Sequence, residues 1–230
     1  MTPAPIHLFY ETAGNQEYCL SFGASDAART ILIIPPFFDE MNRTRRMIAE
    51  AMRHLAKRGV RAHLLDLPGC NESVVPAPHR SLSSWRVAVT DAAVQLQITH
   101  IASIRGGCLI DDAAGLPIWR LAPIRGAALL KNMLRTRIAG DKEAGVYSTA
   151  EHLLANGRAH GVHLAGQMLC PHMIGDLEIA IAMTNDLVTE GALADVAGTP
   201  LWLRAEPADS PEMSAALAAR LDAWSASCGV

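Results

Sequence analysis

Residues 30–34 (Thr-Ile-Leu-Ile-Ile) form an unbroken apolar, largely β-branched run that stops at Pro35-Pro36. A strand with one solvated face alternates apolar and polar residues. A continuous run instead reads as a strand covered on both faces, as in a parallel sheet between helices. The residues after it support that reading. Residues 42–58 place Met47, Ile48, Ala51, Met52 and Leu55 at helical spacing and end at Gly59. A strand is expected at 60–67, closed by the turn Pro68-Gly69-Cys70-Asn71, and a helix at 84–97 with Trp85, Val89, Ala92 and Leu96 on one face. Strand 98–104, a short helix and a strand at 117–122 come next. Strand alternating with helix at short spacing predicts a doubly wound, mostly parallel α/β sheet. Residues 6–10 and 18–22, parted by Gly14-Asn15, precede it as a hairpin.

The pattern changes after residue 126. Helices are expected at 127–138, 149–159 and 175–187, with a strand run only at 162–169. This divides the chain into a core, 1–126 and 197–230, and a helical insertion, 127–196. The core resumes with a strand at 200–205, an acidic turn at 206–210 and a helix at 211–225. One more strand is expected where the sequence stops, which would leave 200–205 as an exposed edge and invite a homodimer through it. A chain of 230 residues buries roughly 70–75% of its unfolded surface and needs no disulfide or metal staple. Its net charge of −3 (20 basic minus 23 acidic) gives no pull toward nucleic acid. The five cysteines lack C-x-x-C spacing, which suits reduced thiols in a cytoplasmic protein. No signal peptide is visible at the N-terminus, and no run of about 18 apolar residues predicts a membrane span.

The chemistry turns on residues 98–107. Strand 98–104 runs into the glycine-rich turn Ser103-Ile104-Arg105-Gly106-Gly107, the context of the G-x-S-x-G nucleophile elbow. The turn resembles that of α/β-hydrolases, with a guanidinium where the hydroxyl belongs. Arginine keeps its proton in proteins and cannot attack a carbonyl. The string Pro35-Pro36-Phe37-Phe38-Asp39-Glu40-Met41-Asn42-Arg43-Thr44-Arg45-Arg46-Met47, with 66–73 (Asp-Leu-Pro-Gly-Cys-Asn-Glu-Ser) and Trp85…Asp91 behind it, narrows the likeness. It resembles the exosortase A system-associated α/β-hydrolase-like proteins, of the second hydrolase type, over most of residues 1–140. The resemblance implies an α/β-hydrolase-type sheet with a helical cap. It also implies association with exopolysaccharide and PEP-CTERM protein-sorting systems.

An active hydrolase of this fold supplies a serine, then an acid, then a histidine. Arg105 holds the first position. Asp209, beside Glu206, is the candidate acid, or else an ordinary surface-turn residue. No histidine lies beyond His172. Backbone amides at Gly106 and at Phe37 or Phe38 could form an oxyanion hole whatever the side chains. Arg105 above the helix start at Gly106-Gly107 would add fixed positive charge, or would merely pair with Glu40 or Asp209 and fill the cavity. Cys108 could act as a substitute nucleophile at that helix start or be a small structural residue, and Cys70 reads as a loop residue. Arg43, Arg45 and Arg46 could clamp a phosphate or carboxylate, or form a solvated helix end. No histidine pair has metal-ligand spacing, and no glycine-rich nucleotide motif comes after a strand, so no cofactor is expected. The expected function is that of a noncatalytic or atypical member. It would hold a small acyl or anionic ligand among Phe37, Phe38, Glu40, Asn42, Arg105, Gly106, Gly107 and Asp209. The alternative is an ester or thioester hydrolase working through Cys108 or a water oriented by Asp209 or Glu40.

Overall fold

The computed structural model describes residues 3–204, 206 and 208–228. Strands β1 (Ile6–Thr12) and β2 (Asn15–Phe22) pair as a hairpin in which Thr12 faces Asn15. Its two-residue turn, Ala13-Gly14, has φ of 47° and 77°. Positive φ at both positions marks the turn type whose twist suits a two-residue hairpin. Next come β3 (Arg29–Ile34), α1 (Asp39–Ala56), β4 (Val60–Leu65), α2 (Leu82–Gln95), β5 (His100–Ile104) and β6 (Ile118–Leu121). The sheet order is β1-β2-β4-β3-β5-β6-β9, with β9 at Val188–Gly191. β2 runs antiparallel to β1 and β4, and the other pairings of this sheet are parallel. This is an α/β-hydrolase-type, mostly parallel sheet.

The run at 30–34 behaves as its composition requires. Ile31 and Ile33 enter the core beneath α1 and α6 (Pro211–Ser227), while Leu32 and Ile34 enter the core beneath α2. Alternate residues of a strand point to opposite faces, so a strand between two helical layers must be apolar at every position. Helix α1 starts three residues earlier than its periodicity suggests. Asp39 and Glu40 thereby fall in its first turn, where the helix dipole favours carboxylates. Helix α2 starts at a Ser81–Ser84 capping box.

Four expectations are corrected beyond β5. The short helix after Arg105 is a pair of 3₁₀ turns, Arg105–Leu109 and Asp111–Ala114. The single strand at 162–169 is a hairpin of β7 (Val162–Leu164) and β8 (Gln167–Leu169) around Ala165-Gly166, both at positive φ. The helix at 175–187 is α5 (Pro171–Ile179), which opens on a proline that has no N–H to lose at that position. The strand expected at 200–205 is a 3₁₀ turn at Leu201–Leu203, and Ala205 lies outside the described residues. The sheet instead resumes at β9, beside β6 and inside the segment 127–196 expected as the helical insertion. The homodimer expected through an edge strand at 200–205 therefore has no strand to use. Helices α3 (Gly126–Glu143), α4 (Ala150–His160) and α5 lie between β6 and β9. Among the described residues no helix is long and apolar enough to cross a membrane.

Candidate functional site

Arg105 stands directly after β5 with φ of 56°. A positive φ in a residue with a Cβ is strained, and such strain is what a strand-to-turn elbow imposes. The two glycines next to it are dictated by contact. A Cβ on Gly106 would lie 2.8 Å from the Phe37 ring, and one on Gly107 would lie 2.6 Å from the Ile34 carbonyl oxygen. The elbow is thus pressed against the end of β3 and the loop beyond it.

All three nitrogens of the Arg105 guanidinium have partners. Its Nε donates to Glu40 Oε2 at 3.1 Å, Nη2 to Glu40 Oε1 at 3.0 Å and Nη1 to the Ala122 carbonyl at 3.4 Å. The Trp202 ring lies 5.6 Å from its Cζ, within cation–π range. Both carboxylate oxygens of Glu40 are held in this two-pronged pair. Burial pushes the Glu40 carboxyl above its ordinary range, and Arg105 pulls it back. The pairing of Arg105 with Glu40 that the sequence allowed is present.

The other expected site residues separate. Phe37 and Phe38 are buried, with ring centroids 4.7 and 6.0 Å from that of Trp85, whose Nε1 donates to the Pro68 carbonyl. They are packing residues behind Gly106 rather than the lining of an open pocket. Asp209 pairs with Arg46 at 3.0 Å and lines a separate cavity with Glu50, His54 and Pro211. Asn42 is exposed. The arginine cluster also disperses: Arg43 pairs with Asp39 at 2.7 Å, Arg45 with Asp66 at 2.8 Å and Arg46 with Asp209. Successive helical positions point about 100° apart, so neighbours in sequence meet different partners. They form no common clamp.

Cys108 is fully buried, and burial pushes its thiol up to about 12. Its contact is the Ser103 hydroxyl at 3.3 Å. Burial of this kind shields the thiol from solvent and opposes its ionisation. In the folded protein a polar thiol reagent is expected to modify Cys228, the exposed cysteine. Cys108 is expected to react only on unfolding. Mass spectrometry of native and urea-treated protein checks this, and native labelling of Cys108 would contradict it.

One constellation escapes a reading of the sequence. Asp111 and Arg120 are buried and joined by two hydrogen bonds, Nε to Oδ2 at 2.8 Å and Nη2 to Oδ1 at 2.7 Å. The Ser103 hydroxyl donates to the same Asp111 Oδ2 at 2.5 Å. Ser103 and Arg120 sit opposite each other in the β5–β6 register, on the α2 face. A signal is nevertheless present: Arg120 interrupts the apolar strand Ile118–Leu121 at a position that period two places inward. Burial raises the Asp111 carboxyl, while Arg120 and Ser103 counteract it.

A cavity of about 230 Å³ adjoins the elbow, among α1, α3 and the 201–203 turn. Asp39, Glu40, Arg43, Asn132, Thr136 and Trp202 contribute to its lining. It lies where the carboxyl ends of parallel strands open, the usual position for ligands in α/β sheets.

The sequence matches no protein-family model and no curated protein. Solved structures do match. The epoxide hydrolase VrEH1 from Vigna radiata aligns at TM-score 0.43 and 14% identity over 51% of this chain and 40% of its own. An epoxide hydrolase from an endophytic Streptomyces aligns at 0.43 and 15% over 56% of this chain and 42% of its own. Cfl2 from Burkholderia cenocepacia aligns at 0.45 and 16% over 67% of this chain and 59% of its own. The likeness is one of fold, and the sheet order is that of an α/β-hydrolase-type sheet. The chain spans less than two thirds of the length of each of these three proteins, and their activities are not carried over to it.

Proposed function

We propose that this is a noncatalytic α/β-hydrolase-fold protein that binds a small acyl or anionic ligand in the cavity beside the elbow. The observation that carries the reading is the two-pronged Arg105–Glu40 pair, which occupies the place of the nucleophile. It is supported by the burial of Cys108 and by the pairing of Asp209 with Arg46. Arg43 is the cavity-lining cation. It is shared between Asp39 and the Trp202 carbonyl and is placed to meet a carboxylate, while Leu129 and Met133 offer an apolar wall to an acyl chain. The resemblance at residues 35–47 supports an accessory role in exopolysaccharide or protein-sorting systems.

Two measurements test this. Wild type and Arg105→Ser/Glu40→Gln, which restores the hydroxyl without its base, are expected to show no turnover of short or long acyl esters and thioesters above background. Octanoate is expected to change the tryptophan fluorescence of wild type saturably, and Trp202→Phe is expected to remove that change. Turnover by wild type would overturn the noncatalytic reading. Failure of acetate, octanoate and acyl thioesters alike to bind would overturn the ligand.

A further inference from the structure

A second cavity, about 450 Å³, opens away from the elbow, between the loop leading into α2 and the start of α5. His79, Arg80, Ser81, Ser83, His172 and Asp176 line it. Its volume falls in the range of small-molecule sites. The cavity joins the strand-terminal loops of the main sheet to the segment inserted between β6 and β9, and its walls are tied together across that junction. Arg80 Nη2 donates to the Met168 carbonyl at 2.6 Å, and Nη1 donates to Gln167 Oε1 at 3.1 Å. The Leu82 amide at the start of α2 donates to Asp176 Oδ2 of α5 at 2.9 Å, and the Cys170 thiol donates to the Arg80 carbonyl at 3.3 Å.

Arg80 is the decisive residue. It is 3% exposed, yet its partners among the described residues are uncharged: the Ala77 and Met168 carbonyls and the Gln167 amide oxygen. Cys70, packed near it, is kept a neutral thiol by burial, which pushes it up to about 11. A buried guanidinium keeps its charge and is costly without a counter-ion. Five N–H donors are available on the side chain, and these contacts use three. The other buried arginine among the described residues, Arg120, has the Asp111 carboxylate. Around Arg80 the cavity adds two imidazoles and the hydroxyls of Ser81 and Ser83, the first of which already caps α2. Against it stands one carboxylate, Asp176, itself spent on the Leu82 amide.

The geometry points to a binding site for an oxyanion group of phosphate or carboxylate type, carried by a small ligand. The anion would supply the charge that Arg80 lacks and would accept from His79, His172 and Ser83. This site shares no lining residue with the elbow cavity and stands or falls independently of it.

The test is titration of the full chain with inorganic phosphate and, separately, acetate, followed by calorimetry and by amide chemical shifts. Saturable shifts are expected at 79–84 and 171–173 with either anion, and the stronger set of the two identifies the preferred class. His172→Gln, a conservative change, is expected to weaken phosphate binding about tenfold. Asp176→Asn keeps the acceptor for Leu82 while removing a negative charge, and is expected to tighten binding severalfold. A gain of affinity cannot be produced by misfolding. Shifts located elsewhere, or an affinity indifferent to both His172→Gln and Asp176→Asn, would overturn the proposal.

Discussion

Replacing Arg120 with alanine is expected to cost about 3–5 kcal/mol of folding stability, the largest single-residue loss predicted for the sheet. Arg120 and Asp111 have side chains 1% and 0% exposed, so solvent screens neither. Removing the guanidinium leaves the Asp111 carboxylate in the apolar layer under α2 with one remaining donor, Ser103. An uncompensated buried charge costs more than the pair itself ever contributed, because the desolvation has already been incurred. The control is removal of the whole network: Ser103→Ala/Asp111→Leu/Arg120→Met is expected to recover most of the loss. Urea unfolding of both variants decides the matter. Near-wild-type stability of Arg120→Ala would mean that water reaches the site and the layer is not closed as described.

Arg105→Ala is expected to cost about 3 kcal/mol near neutral pH, and the loss should depend on pH with a defined sign. Burial already raises the Glu40 carboxyl, and Arg105 is the main opposing influence. Without it the folded-state value rises further above that of the unfolded chain. A group whose folded value is raised contributes full stability below its unfolded value and loses it as pH climbs through the folded one. The variant should therefore approach wild type near about pH 4, where an unperturbed glutamate protonates, and fall behind as pH rises. Glu40→Gln placed on top of Arg105→Ala should flatten the dependence, since the carboxyl that Arg105 held is then gone. Thermal melts across pH on wild type, single and double variants give the answer. A deficit that does not vary with pH would show that Arg105 stabilises through packing on Trp202 and not through Glu40.

Much of the sheet was legible because its signals are local. The apolar run at 30–34, the helical spacing of Met47 through Leu55 and the stop at Gly59 each depend on residues within a few turns of one another. The glycines at 106 and 107 marked a tight turn, and the contacts with Phe37 and Ile34 explain them. The region after β6 was less readable. Ala165-Gly166 carries a turn inside an apolar run that reads equally as one strand, and Pro171 opens a helix that periodicity alone placed later. The apolar stretch at 200–204 has strand composition but is a 3₁₀ turn whose Trp202 covers Arg105. Composition near 200 suits burial, and it does not say against what.

The site divides in the same way. The sequence by itself determined that no serine stands at the elbow and that none of residues 173–230 is a histidine, because identity at a position is a chemical fact needing no fold. It also determined that the central strands lie between two helical layers, since period and branching act locally. Tertiary structure alone decided which charges meet. Arg105 is 65 positions from Glu40, Arg80 reaches the 167–168 strand and Asp209 turns to Arg46. Ion pairing depends on distance and burial, which a chain acquires only when its sheet order brings remote loops to one end.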